Sequence, residues 1–343
     1  MKRTQINVLL LITIVLLASC SSGDQASMMR NVSGKAGEMV IVIAPEIWNA
    51  APGKALRDAF NQPQVGLPQD EPLFSVINIP KEGYADIFKT TRNIVETNIS
   101  SSALKSEITY KRNVHAYTQA MVTITAKNQQ EMEELIRSNT NKMIEFFLQA
   151  ERERLSMNYA KYQNKAVRNQ VETKFGININ VPPGFNVDKQ TNDFMWIRYE
   201  TPSISQGIVI YSYPYEHDST FTAEYLVAKR NVILKQNIPG PGEGSYMTTE
   251  NEVSVIFNVL KKNKNYAAEM RGLWKVENDF MGGPFVSLSI LDLLKNRVIT
   301  LDGYVYAPEN DKRDLIRQVE AMIYSVAFIE QENMDKLNKQ FEE

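Results

Sequence analysis

The segment FVSLSILDLL at 285–294 is apolar on both parities. Drawn out as a strand, it sends Phe285, Leu291 and Leu293 to one side and Val286, Leu288, Ile290 and Leu294 to the other. Successive strand side chains alternate between faces, so a strand apolar on both needs a covering layer on each side. That requirement constrains the C-terminal half more than any other feature. DFMWIRYE, GIVIYSYPY, EVSVIFNVLKK, YAAEMRGLWKV and RVITLDGYVYA have similar character, and roughly eight strands follow residue 175. The helical pattern FTAEYLVAKRNVILKQ (221–236) can supply one cover. A C-terminal helix with Leu315, Val319, Met322, Ile323 and Val326 on one stripe can supply the other.

The preceding half mixes both periods. EMVIVIAP (38–45) and PLFSVINIP (72–80) read as strands around a short helix at 52–60, and YADIFKTTRNIVE (84–96) has apolar residues at helical spacing. EITYKRN and QAMVTITA are two further strands. Asn128 followed by Glu131 approximates a capping box. It opens a long helix, with Met132, Leu135, Ile136, Met143, Phe146 and Phe147 on one face, whose pattern runs to about residue 171. A helix of that length implies a break or a projection.

The expected architecture is α+β: two lobes of mostly antiparallel sheet with helices on the faces. The segments are 1–19, a leader; 20–37, a Ser- and Gly-rich tether; 38–171, an N-terminal lobe ending in the long helix; 172–329, a C-terminal α/β sandwich; and 330–343, a polar tail. The element order of the second lobe resembles the Mog1/PsbP-like sandwich, a likeness of topology that implies no activity.

The leader carries the clearest address. Lys2 and Arg3 precede an apolar run from Ile6 to Leu17, which is shorter than the ~20 residues a membrane span needs and suits a signal-peptide core. Leu17-Ala18-Ser19-Cys20 follows, and Cys20 is the one cysteine in the chain. This arrangement resembles the bacterial lipobox, in which the cysteine sulfur takes a diacylglycerol. Two or more acyl chains anchor a protein stably where one does not. Ser21 at the next position points to the outer membrane, since aspartate there would favour inner-membrane retention. The mature chain then has no thiol and must be held by its core. Lys2 and Arg3 leave with the leader, so 36 of the 38 basic residues face 40 acidic ones, a net charge of −4. That balance argues against nucleic-acid binding.

Catalytic and metal signatures are weak. The two histidines are His115 and His217. Glu216, His217 and Asp218 are adjacent, and neighbours in an extended segment diverge, so they read as a polar turn before a helix and no metal is expected. IPGPGEGSYM (238–247) lacks the Lys-Ser/Thr ending of a phosphate loop and leads into a strand, so it reads as a helix-to-strand connection. KKNKN (261–265) reads as a hairpin tip. Val209, Tyr211, Tyr213 and Tyr215 alternate onto one side, an aromatic row suited to a glycan or to packing under a helix. Tyr266, Met270 and Trp274 share one face of the next segment, with Glu269, Arg271 and Lys275 on the other. Gly282-Gly283-Pro284 would make the following turn.

RGLW followed by ENDFMGGPFVS, with GYVYAPENDKRDLIRQVEA after it and the lipobox in front, resembles domain of unknown function 4837 (DUF4837), an uncharacterised lipoprotein family of the Bacteroidota. The resemblance implies a bacterial lipoprotein. It brings no activity, and no catalytic residue is carried over. The expectation is a non-enzymatic envelope protein, anchored to the membrane by lipid on Cys20, without cofactor, that binds an envelope protein or a glycan. Its candidate ligand residues are Tyr211, Tyr213, Tyr215, Arg271 and Trp274. The alternatives are an envelope hydrolase with a site between the lobes and a glycan-binding lipoprotein.

Overall fold

The computed structural model describes residues 29–330. The leader, Cys20 and the tail beyond 330 lie outside the described residues. The rest forms two compact units, residues 29–55 with 76–139 and residues 56–75 with 140–330.

The first unit is built on five strands: β1 (Glu38–Val42), β2 (Ser75–Ile79), β3 (Asn93–Ile99), β4 (Glu107–Arg112) and β5 (Ala120–Ala126), in the order β2-β1-β3-β5-β4. β1 and β3 run parallel, as do β3 and β5, while β4 pairs antiparallel with β5. This sheet is therefore mixed, a correction to the mostly antiparallel expectation for the first lobe. The chain returns to a central slot twice after long connections, and that is how parallel neighbours arise. Residues 84–96 are a second correction. Asp86–Lys89 is one helical turn, and Asn93 begins the central strand. Ile94 and Val95 are buried on opposite faces of that strand, a setting that favours β-branched side chains over local helical spacing.

The unit boundary falls inside helix α1 (Ala51–Phe60). The expected long helix is three helices: α2 (Gln129–Ser138), α3 (Thr140–Lys161) and α4 (Lys165–Phe175). The Asn128 side chain accepts from the Glu131 N–H and donates to the Glu131 carboxylate, so the capping box is present. Asn139 closes α2. Asn164 caps α4 through the N–H groups of Ala166 and Val167. Asn at both breaks satisfies backbone groups that a continuous helix would have paired internally. The consequence is a third correction: α3, α4 and the segment 56–75 go with the second unit, not with the lobe ending at 171. Phe147 of α3 packs edge-on against Phe60 and Phe74, at 5.8 and 6.0 Å between ring centres, and ties that segment down.

The second unit carries an antiparallel sheet in the order β10-β12-β13-β14-β9-β8-β7, with β11 beside β12. Its strands are β7 (Asn186–Gln190), β8 (Phe194–Glu200), β9 (Ser205–Pro214), β10 (Met247–Thr249), β11 (Ile256–Lys262), β12 (Asn265–Val276), β13 (Gly282–Asp292) and β14 (Arg297–Tyr306). The short strands β6 (Ile177–Asn178) and β15 (Ala327–Phe328) pair separately. One face is covered by α4 and by α6 (Arg313–Tyr324), which bury Val171, Phe175, Val319 and Ile323 against Val286, Leu288 and Ile290. The other is covered by α5 (Ala223–Asn237), which buries Leu226 and Leu234 with Tyr211, Trp274 and Phe285. The two-sided cover required by FVSLSILDLL is thus met through Asp292. Leu293 and Leu294 lie past the end of β13 and are exposed. The β12–β13 turn is made by residues 277–281, and Gly282 and Gly283 are already in strand.

Candidate functional site

The sequence-level candidates do not converge. Tyr211 and Tyr213 are buried beneath α5, stacked at 6.2 Å between ring centres, with Tyr213 also facing Tyr225 and the Lys229 ammonium. Burial pushes both hydroxyls above their ordinary range. Tyr215 is half-buried and donates to Asp218. The row is core packing, not an open platform, because α5 occupies its face. Glycan binding through it is set aside.

Arg271 and Trp274 have opposite parity on β12 and face different layers. Trp274 sits on the α5 face at a cavity of about 360 Å³ whose wall includes Trp196, Tyr304, Tyr306 and the Pro239–Pro241 loop. Its two indole N–H groups are paired within the protein. Trp274 Nε1 donates to the Val305 carbonyl, and Trp196 Nε1 to the Tyr304 hydroxyl.

Arg271 sits on the α6 face, where charge is concentrated. Its Nε and Nη2 donate to the two Glu269 oxygens at 2.9 and 2.7 Å, and Nη1 reaches Glu320 at 3.0 Å. Arg152 of α3 donates to the other Glu320 oxygen at 2.6 Å and lies 4.1 Å from the centre of the Tyr324 ring. The Tyr324 hydroxyl donates to Glu269. Glu151 and Arg154 pair at 2.8 Å one turn apart on α3. Arg317 of α6 donates through Nε to the Gln64 side chain at 3.0 Å and through Nη2 to the Leu73 carbonyl at 2.8 Å.

These groups are held by the fold around them. Glu71 accepts the backbone N–H groups of Lys312 and Arg313, at 2.7 and 2.8 Å, and so caps α6 with a carboxylate where its dipole is positive. The Lys262 ammonium donates to the Tyr324 carbonyl at the other end of that helix. The KKNKN hairpin tip has its two turn residues, Asn263 and Lys264, at φ of 50° and 69°, and the Asn263 amide donates to the Val326 carbonyl at 2.8 Å, so the tip does more than face solvent.

Within this frame lies a cavity of about 400 Å³, lined by segment 62–65, α3, β11, Arg271, Arg317 and Glu320. Burial would raise Glu320, but Arg271 and Arg152 outweigh it and hold the carboxyl at about 2. Burial would lower Arg271, and Glu320 and Glu269 overturn that, keeping it well above its ordinary value. For Arg317 the attraction of Glu151, Glu320 and Asp314 is too weak to offset burial. Burial, with Arg313 adding repulsion, brings it down to about 10.

Of the expected ligand residues, only Arg271 belongs here. Glu320 and Arg317 were missed because a charged residue on a helix ordinarily reads as solvated. The available signal was position: Arg313, Arg317, Glu320 and Tyr324 follow at i, i+4, i+7 and i+11, directly beside the apolar stripe. Among the described residues, no group of three His, Cys, Asp or Glu side chains could hold a metal ion.

The second unit is thus a helix-covered antiparallel sheet with a charge-lined cavity on its α6 side. Residues 163–325 match the family described as Domain of unknown function (DUF4837), and residues 32–160 match a second, Domain of unknown function (DUF8532). No curated protein matches the chain. Among solved structures, similarity is found to the Ran-binding protein Mog1p of Saccharomyces cerevisiae, at 9% identity over 45% of this chain and 90% of that one, with a TM-score of 0.31. It is also found to LpqN, described as involved in cell envelope biogenesis of Mycobacterium tuberculosis, at 11% identity over 44% and 82%, with a TM-score of 0.28. Likenesses this distant carry no argument about activity or partners.

Proposed function

We propose that this chain is a lipid-anchored protein of the bacterial cell envelope, on the outer-membrane side, whose second unit binds a small ligand without transforming it. The anchor rests on Leu17-Ala18-Ser19-Cys20 behind a short apolar run. Among the described residues no helix is long and apolar enough to cross a membrane.

The binding reading is carried by one observation: Glu320 and Arg271 hold each other at the cavity as a buried, hydrogen-bonded ion pair. General acid–base catalysis works best with a group whose pKa lies near the operating pH. Glu320 at about 2 and Arg271 far above neutrality cannot exchange protons there. Preorganised, permanently charged groups serve recognition instead.

Two measurements test this. Metabolic acyl labelling with fractionation should find the wild type labelled and in membranes, and Cys20→Ala unlabelled and released. A Cys20→Ala variant that keeps both label and membrane association sinks the anchor. Deproteinised extract of the source cells should raise the melting temperature of the purified protein, and Asn258→Trp should abolish the rise. Asn258 is an exposed strand residue on the cavity wall, so the added indole fills the cavity without disturbing the core. No shift in the wild type defeats the binding reading.

A further inference from the structure

We infer that the cavity on the α6 side of the second unit takes a small molecule bearing an anionic oxygen group, a carboxylate or a phosphate, held by Arg317 and Arg152. This rests on the binding reading above and names its ligand class.

The guanidinium and carboxylate groups around the cavity are not all paired with one another. Arg152 pairs with Glu320, Arg154 with Glu151, and Arg271 with Glu269 and Glu320. Of the charged side chains that line the cavity, Arg152 and Arg271 thus pair with Glu320, Glu151 pairs with Arg154, and Glu145 is exposed at the rim, so Arg317 is the arginine among them that makes no ion pair with a described residue. It is 7% exposed, and its two hydrogen bonds go to neutral acceptors, the Gln64 amide and the Leu73 carbonyl. Its Nη1 has no partner, and neither does Nε of Arg152. Buried N–H groups are almost always paired, and a buried cation without a directly bonded counter-charge is costly to keep. Here two orphan donors, on two arginines from two different helices, belong to side chains that line one cavity.

A ligand oxyanion supplies what is missing. The planar guanidinium fork matches a carboxylate or phosphate edge-on. Nη1 is itself sealed from solvent, so engagement turns the Arg317 guanidinium into the cavity. The rest of the wall mixes Val65, Ile144 and Leu148 with the amides of Gln62, Asn141 and Asn258. That combination suits a short body of mixed polarity, and about 400 Å³ is within the range of small-molecule sites. Glu145 also lines the cavity but is exposed at its rim. A cationic ligand would have to approach three arginines.

The test is calorimetric titration of the purified protein with inorganic phosphate, with succinate and with putrescine, at ionic strength matched by sodium chloride. Phosphate or succinate should bind saturably, and Arg317→Gln and Arg317→Lys should each weaken binding at least tenfold, because lysine lacks the fork. Binding of phosphate alone identifies a phosphoryl ligand, and binding of succinate alone a carboxylate. Should the Arg317 variants unfold, Arg152→Gln, at a more accessible side chain, must show the same loss. The inference is overturned by no saturable binding of either anion, by unchanged binding in the folded variants, or by preference for putrescine. If cell extract still stabilises the wild type and not Asn258→Trp while both anions are inert, ligand binding stands and the anionic class falls.

Discussion

Arg230 and Asp302, 72 residues apart in the chain, meet in the core of the second unit with both side chains fully shut off from solvent. Nε donates to Oδ2 at 2.6 Å and Nη2 to Oδ1 at 3.1 Å. The guanidinium also donates to Thr249 at 2.9 Å and lies 3.8 Å from the centre of the Phe285 ring. The pair ties α5 to β14 in a layer that also buries the hydroxyls of Ser287, Ser289 and Thr300. Arg317, by contrast, is buried in the same unit with neutral partners.

Breaking the Arg230 pair should be far worse than removing it. Arg230→Met leaves the Asp302 carboxylate buried without a counter-charge, which should cost about 3–5 kcal/mol. Arg230→Met with Asp302→Leu should recover most of that loss, since two apolar groups fit the layer. Urea unfolding of the three proteins decides it, and a double variant no more stable than the single one refutes it.

Stability should carry an acid limb that depends on Glu320. Its folded value of about 2 lies below its ordinary 4.5, so the unfolded state binds the proton first as pH falls. The contribution is full above about 4.5 and disappears as pH drops toward about 2. A shift of that size is worth roughly 3 kcal/mol. The stability difference between wild type and Glu320→Gln, followed by urea unfolding from pH 7 to pH 2.5, should narrow across that window. A constant difference would mean that Glu320 is not held ionised by Arg271 and Arg152.

Close helix docking should make Gly303 intolerant of a side chain. A Cβ there would meet Val319 Cγ1 at 2.1 Å and Ile323 Cδ1 at 2.7 Å, both on α6. Forcing an extra carbon into a packed layer costs about 1–3 kcal/mol. Gly303→Ala should therefore lower the melting temperature, and adding Val319→Ala should restore part of it. Thermal unfolding by circular dichroism reads both, and an unchanged melting temperature in Gly303→Ala contradicts the packing.

How much of this was legible in the residues depended on the range of the interactions. The Asn128–Glu131 box and the hairpin at Asn263-Lys264 are local, and local hydrogen bonding reads directly from residue type, whereas the breaks at Asn139 and Asn164 were expected only as an unplaced interruption of one long helix. FVSLSILDLL demanded cover on both faces, and α5 and α6 provide it. The segment 84–96 misled because its helical spacing was overruled by a central slot between β1 and β5. Arg271 was picked out for its place on a distinctive strand, but its partners Glu320 and Arg152 come from helices that nothing in the strand identifies.

The sequence by itself determined the α+β class, the two-faced sheet of the second unit and the capping box at Asn128 and Glu131. These follow from periodicity and from hydrogen bonds within a few residues. Only the tertiary structure decided the parallel strands of the first sheet, the transfer of 56–75 and 140–171 to the second unit, and the gathering of Arg152, Arg271, Arg317 and Glu320 around one cavity. A charge is worth little on a solvated helix and a great deal once burial removes the water around it. Whether an arginine is a surface residue or a binding group is therefore set by what packs over it.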